Sequence, residues 1–491
     1  MLQYLAMSGR APVLLRHGPL TLYLRPLDGC PDLRPLLRSL PAAMPVVWLD
    51  TARPHPVTGR WSLLGYDPWL TVVARGSRME LRTSAATHQW RDHPLRALRQ
   101  VLRRYRMSPL RQPHARALSL LGGLSYELNG WIERLPDPQP GRSAWPDMLW
   151  FGMRMVVLMD HLEQRSWLIS VVDPHQPSLL ARREASAALE HTEAALDSSA
   201  QHGWSAAEGP LRLTPTSTQA EFEAMVARAL EHVRAGDIFQ ANVAQRFTAP
   251  WHGSAVPLYE TLRRINPSPF ACFLSWEDLA VISCSPERLV RVQEGRIDTR
   301  PIAGTRPRGT TPAEEAMNSL ELLLSDKERA EHLMLVDLAR NDLGRLCTMG
   351  SVTVDELMTL EAYSHVIHIV SEVSGVLRKP VDAVDVIRAV FPGGTITGCP
   401  KVRCMELLRQ IEPVARGLYT GSLGYVGFDG TMDLNIAIRT IVRHGATLSF
   451  HVGAGIVADS EAGREYQETL AKAEALVSAL RQCREVDASV R

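Results

Sequence analysis

Apolar residues recur along the chain with two different periods. Short apolar runs at Pro45 to Asp50, Trp69 to Arg75 and Met153 to Met159, separated by Pro- and Gly-rich turns, predict strands within residues 1–173. Helical spacing appears in HPLRALRQVLRRYRMSPL, where Leu95, Leu98, Leu102 and Tyr105 share a face. The arginines between them read as a solvated face. An Ala-, Leu- and Glu-rich helix is expected from Pro177 to about Gln201. A polar stretch then leads to Ser217 and Thr218, either of which suits the cap of the next helix. That helix, Gln219 to Ala235, stops at Gly236. Beyond it the pattern is β-rich and broken by helices at about Pro312 to Leu338, Val381 to Ala389, Lys401 to Ile411 and Ser460 to Leu480. The reading is α+β, with an N-terminal region 1–173, a helix and linker 174–217, and a second region 218–491.

Composition supports a globular chain and narrows its partners. With 491 residues, 45% hydrophobic and 22% charged, the chain can bury more than one core's worth of side chains. Lys+Arg 54 against Asp+Glu 53 supplies no general field for nucleic acid or an anionic membrane, so neither is an expected partner. An affinity for anions would have to be local. The opening MLQYLAMSGRAPVLLRHG interrupts its apolar runs with Arg10 and Arg16 and lacks a signal-like core, and no segment reaches membrane-span length. The 7 cysteines are scattered, with no Cys-x-x-Cys pair, and read as reduced thiols of a cytoplasmic protein.

Several residues carry candidate chemistry. Glu328 and Glu331, in SDKERAEHLMLVDLARND, lie three apart on a helical pattern and so share a face. Glu465 and Glu468, in REYQETLAKAEAL, repeat this, with Lys472 one turn further along. Hard divalent cations such as magnesium take such oxygen ligands, directly or through water. Either pair alone is far more often the pattern of ordinary surface residues. The loop FPGGTITGCPKVRCMELL offers a glycine-rich helix start with Lys401 beside it, an arrangement suited to an anion or simply to a turn. In HVGAGIVADS, Gly453, Ala454 and Gly455 form a second glycine loop, where a carboxylate could approach the backbone. Arg439 interrupts a strand-like apolar run and needs an anion, either a substrate or a structural partner. Glu287, after Pro286, would serve as a general acid if its surroundings were apolar. His368 among apolar neighbours has the pattern of a core histidine.

Taken together the strings GDIFQANVAQRF, SPERL, PIAGTRPRG, KERAEHLMLVDLARNDLG, HIVSEV, FPGGTITGCPK, LYTGSLGY, NIAIRT and GAGIVADS resemble the chorismate-using family. It contains anthranilate synthase component I, aminodeoxychorismate synthase component I and the isochorismate and salicylate synthases. The resemblance is close over residues 218–480 and weaker in the first half, through GRWSLLGYDP and GGLSYEL. It implies an anthranilate synthase component I-like composite of two β-rich halves with surrounding helices. It also implies that Glu331 and Glu468 bind magnesium directly while Glu328 and Glu465 hold its waters. Chorismate would lie among Ala303, Thr305, Thr395, Tyr419, Arg439, Gly453, Ala454, Gly455 and Lys472, with Tyr419 and Arg439 on the carboxylate of the enolpyruvyl arm. Glu287 matches the acid that protonates the departing C4 hydroxyl, and His368 a histidine linked to pyruvate elimination.

The branch rests on a few positions. Members that add water carry a lysine base where this chain has Gln240, so ammonia is the expected nucleophile. No Gly-x-Cys-x-Gly element surrounds any cysteine, which implies a separate glutamine amidotransferase subunit. PIAGT is usual in anthranilate synthases, and Ala303 excludes the covalent route of aminodeoxychorismate synthases that carry lysine there. A PIAGT subclass of the latter is thought to work through noncovalent 2-amino-2-deoxyisochorismate. Asn242, Cys399 and the stretch Trp48 to Thr51, WLDT in place of the tryptophan-feedback LLES, look like the aminodeoxychorismate branch. The expected product is 4-amino-4-deoxychorismate, for 4-aminobenzoate and folate synthesis, with anthranilate synthase as the alternative.

Overall fold

The strand Val46–Asp50 turns Val47 to one side and Val46 and Trp48 to the other, and both sides are buried. Period-2 alternation with apolar residues on both faces requires a sheet covered twice. The computed structural model, which describes residues 12–55, 57–110, 112–136, 143–172, 178–197, 209–362 and 366–485, has that arrangement. Arg10 and the expected helix ends Pro177 and Gln201 fall outside the described residues, as do the position 173–174 boundary and part of the linker; the helix itself runs Ser178–Leu196.

Every pairing between the strands described is antiparallel, and the strands form two runs that share the long strands Trp61–Arg75 and Met148–Asp160. One run passes from those strands through Val46–Asp50 to Phe270–Trp276, Leu279–Ser285, Thr440–His444, Thr447–Ile456 and Gln240–Pro250. The other passes through Ser119–Leu124 to Ser422–Gly427, Met432–Asn435, Arg288–Gln293, Arg296–Thr299 and Val366–Val376. Each run therefore joins the first half of the chain to the second by a strand pair. The shared strands change register between Pro68 and Leu70, next to Asp67 with φ 54, and a bulge of this kind bends a strand from one sheet into another.

Alternation decides what each face buries. Val47, Leu63, Leu274 and Val281 meet Leu121, Leu423 and Val426 of the other run in one core. Trp48, Leu64, Phe273 and Ile282 face the helices Ser178–Leu196, Ala255–Ile265 and Ala462–Glu485 through Leu189, Tyr259, Leu476 and Leu480. In the WLDT stretch, Asp50 is buried and accepts hydrogen bonds from the Tyr259 hydroxyl at 2.9 Å and from Arg263.

All but one of the expected helices are present as expected, with Thr218 capping Gln219–Arg234 through a reciprocal bond to Glu221. The single helix expected from Pro312 to Leu338 is instead two, Pro312–Leu324 and Asp326–Gly344. Ser325, with extended backbone at ψ 107, ends the first and caps the second by accepting from the Glu328 backbone N–H. HVGAGIVADS is not a loop either: through Ile456 it continues the strand Thr447–Ile456, because ten residues of Gln240–Pro250 pair with it and glycine does not oppose an extended backbone. Arg439 lies outside the strands, at φ 50 in the break between Met432–Asn435 and Thr440–His444.

Candidate active site

Glu287 follows the strand Leu279–Ser285 at Pro286, and its side chain is buried. The Thr395 hydroxyl donates to its Oε1 at 2.8 Å. Burial raises its pKa from 4.5 to about 7, against smaller lowering by Thr395, a backbone bond from Ile302 and the charge of Arg439. A carboxyl of this kind is half protonated near neutrality and can give up a proton there. The left-handed backbone of Arg439 sets its guanidinium within electrostatic range of both Glu287 and His368.

The glycine loop offers Glu287 one side-chain hydrogen bond, that of Thr395. A Cβ at Gly393 would meet Ile436 Cδ1 at 2.8 Å and one at Gly394 would meet Leu338 Cδ2 at 2.2 Å, so these glycines serve close packing. Lys401, expected beside an anion, is instead engaged by Asp342 and the Val390 carbonyl.

The strand Gln240–Pro250 places Ala241 and Val243 against the helices Gln219–Arg234 and Lys401–Ile411. Gln240 and Asn242 take the opposite face. Gln240 Nε2 donates to Glu331 Oε1 at 2.7 Å. The remaining carboxamide oxygens, Gln240 Oε1 and Asn242 Oδ1, are buried without a hydrogen-bond partner, as is Glu465 Oε2. Unsatisfied buried acceptors are costly, and these three leave room for a donor, water or ion. Gly453 and Gly455 lie opposite on the partner strand. A Cβ at Gly453 would fall 2.5 Å from Asn242 Oδ1 and 2.8 Å from the Tyr419 hydroxyl, and one at Gly455 would fall 2.6 Å from Gln240 Nε2. Ala454 points the other way, into the helix-covered core, and offers the site only its backbone.

The two glutamate pairs share neighbours. Burial and the charge of Glu328 raise the Glu331 pKa, burial and the charge of Glu468 raise that of Glu465, and Lys472 and Lys327 oppose both shifts. Glu328 accepts from Arg306 at 3.2 Å, and Glu468 pairs with Lys472 at 2.7 Å, whose Nζ also donates to the Gly453 carbonyl. Among the described residues no three acidic, histidine or cysteine side chains cluster as a ready metal-ligand set. The donors are nonetheless all carboxylate oxygens, one of them an unpartnered buried atom, and the two of each pair repel one another, which fits a hard divalent cation. Beside Glu331 opens a groove of about 900 Å³ bounded by Phe239, Met334, Leu338 and Cys399.

Ala303 and Thr305 flank a bulge at Gly304, with φ 61, in the strand Ile302–Pro307. His368 pairs across from Thr305, and its Nδ1 lies 3.0 Å from the Gly304 carbonyl and 3.0 Å from the Thr305 hydroxyl. Burial lowers its pKa to about 4, so the ring is neutral. A proton on Nδ1, given to Gly304, leaves Nε2 as the basic nitrogen.

Arg439 thus acts on both Glu287 and His368, and Lys472 on His368, Glu331 and Glu465. Residues 57–478 match the chorismate binding enzyme family. The chain belongs to this family. It is an enzyme that acts on chorismate. It is 45% identical over 364 residues to an anthranilate synthase component I-like protein of Synechocystis, covering 73% of this chain and 72% of that one. It is 38% identical to aminodeoxychorismate synthase component 1 of Bacillus subtilis, over 88% of this chain and 91% of the relative. Among solved structures it resembles anthranilate synthase component I from Streptococcus pneumoniae, with a TM-score of 0.76 and 32% identity over 86% of this chain and 93% of that one.

The motifs of this chorismate-binding enzyme did not point to Glu412 and Arg416. In the sequence they are an i,i+4 pair with the look of a surface bridge, yet both are buried behind the site.

Proposed function

We propose that this chain aminates chorismate, forming 4-amino-4-deoxychorismate with ammonia delivered by a glutamine amidotransferase subunit. The observation that carries amination over hydration is Gln240, a neutral carboxamide bonded to Glu331 where a lysine base would be needed to activate water. Neutral ammonia is a far stronger nucleophile than water and needs no such base. Glu331 and Glu468 would hold magnesium, with Glu328 and Glu465 on its waters, and its charge would neutralise the ring carboxylate. Arg439 and Tyr419 take the carboxylate of the arm. Ammonia attacks C2, the double bonds shift, and the C4 hydroxyl leaves as water with the proton of Glu287. A second ammonia then attacks C4 and expels the amine from C2. Ala303 provides no nucleophile, which supports this noncovalent route.

One observation favours a second reading, anthranilate synthase. Neutral His368, with Nε2 as its basic nitrogen, is suited to take the C2 proton when pyruvate is eliminated from the aminated intermediate. A single incubation separates the two: purified chain, chorismate, magnesium and ammonium at alkaline pH, with products resolved by chromatography. Aminodeoxychorismate as the main product is expected. Anthranilate with equimolar pyruvate would replace the first reading by the second.

A further inference from the structure

Arg416 is 1% exposed and uses its whole guanidinium. Nε donates to Glu412 Oε2 at 2.8 Å and Nη2 to Glu412 Oε1 at 2.6 Å; Nη2 also reaches the Asn242 carbonyl at 2.6 Å. Nη1 donates to the Ile396 carbonyl at 3.0 Å and to the Thr420 hydroxyl at 3.2 Å. These partners belong to the segments that carry Asn242, Thr395 and Tyr419. Glu412 adds another tie by accepting from the Ala244 backbone N–H at 3.0 Å. The guanidinium also lies 5.6 Å from the Tyr419 ring, which stacks on His451 at 5.2 Å.

Thr420 makes this arrangement more than a buried ion pair. It is β-branched, yet its φ is 59, a left-handed conformation that such residues rarely adopt. It is held there by Arg416 at its hydroxyl and by the Ala437 carbonyl at its backbone N–H, 2.8 Å away. Strained backbone next to a ligand-facing side chain persists only where the surroundings over-determine it. Buried ion pairs are often of little net worth to stability, so what this one holds in place is the more informative question.

We propose that Arg416, braced by Glu412, is a positioning residue: by holding Thr420 left-handed it fixes the direction in which Tyr419 enters the substrate pocket. The proposal rests on Tyr419 meeting the arm carboxylate of chorismate, as read above. Lysine at 416 would keep the charge against Glu412 but has three donors on one point and cannot span the same acceptors.

The test compares Arg416→Lys, Thr420→Gly and Thr420→Asn with the wild-type chain. Thermal melts, KM for chorismate, KM for ammonium, and chorismate Kd by calorimetry with magnesium are measured for each. Arg416→Lys and Thr420→Gly are expected to weaken chorismate binding by about tenfold to a hundredfold, with KM for ammonium within about twofold of wild type. Thr420→Asn, which tolerates the left-handed region and offers Arg416 a carboxamide oxygen, should restore most of the affinity. A lowered melting temperature with chorismate Kd unchanged in the folded variants would show a purely structural role and overturn the proposal. So would equal losses for both substrates. If Arg416→Lys does not fold, the Thr420 variants decide. Should the wild-type chain bind chorismate but make no aminated product, the amination reading fails while the Kd comparison still decides this one.

Discussion

Glu287 meets two demands that oppose each other in water: a carboxyl strong enough to give up a proton and yet still protonated near neutrality. Burial reconciles them by raising its pKa to about 7. Activity per unit of free ammonia is therefore expected to fall as pH rises through about 7, and Glu287→Gln should lower kcat by about 10²- to 10⁴-fold and remove that limb, as a pH–rate profile would read. The sign for stability follows. The folded pKa exceeds the unfolded value of 4.5, so stability contributed by protonated Glu287 is complete below that value and lost as pH rises through about 7. The glutamine variant should flatten this part of a stability–pH curve. At Gly453 a methyl group would crowd Asn242 Oδ1 and the Tyr419 hydroxyl. Gly453→Ala should raise the KM for chorismate by about tenfold, the equivalent of roughly 1.4 kcal/mol, and also lower the melting temperature, because the methyl would lie 2.9 Å from the Val243 carbonyl of the paired strand. The sequence singled out both residues. It did not reveal Arg416, because only burial distinguishes that arginine from a solvated one.

At the scale of the element, the break at Ser325 matters most. Continuous helical periodicity hides it, since both flanking segments are good helix formers and the residue between them is compatible with either state. In the folded chain Ser325 starts a new helix whose first turn carries Glu328 and, one turn on, Glu331. Ser325→Ala removes the cap and should cost about 1 kcal/mol by chemical denaturation; on the proposed metal reading it should also raise the magnesium concentration needed for half-maximal turnover, because Glu328 and Glu331 lose their anchored start. The second glycine segment shows the converse. Its glycines suggested a loop, yet pairing with Gln240–Pro250 makes it a strand, and their value lies in leaving space beside Gln240, Asn242 and Tyr419.

Across the whole molecule, each run of strands crosses between the halves, at Val46–Asp50 with Phe270–Trp276 and at Ser119–Leu124 with Ser422–Gly427. Residues 218–491 expressed alone would leave those pairing edges and their apolar faces open to water. That fragment is expected to be insoluble or to melt without cooperativity, while the full chain unfolds in one transition by calorimetry and circular dichroism. By itself the sequence determined the α+β class, the helix faces, a cap at Ser217 or Thr218 and the motifs that mark a chorismate-binding enzyme, because periodicity, capping and short motifs are local properties. Only the tertiary structure decided that Glu287 titrates near neutrality, that Lys401 is bound to Asp342 instead of facing an anion, and that Glu412 and Arg416 lie behind the site. Those outcomes depend on burial and on partners far along the chain, and both arise only when the two runs of strands close over a common core.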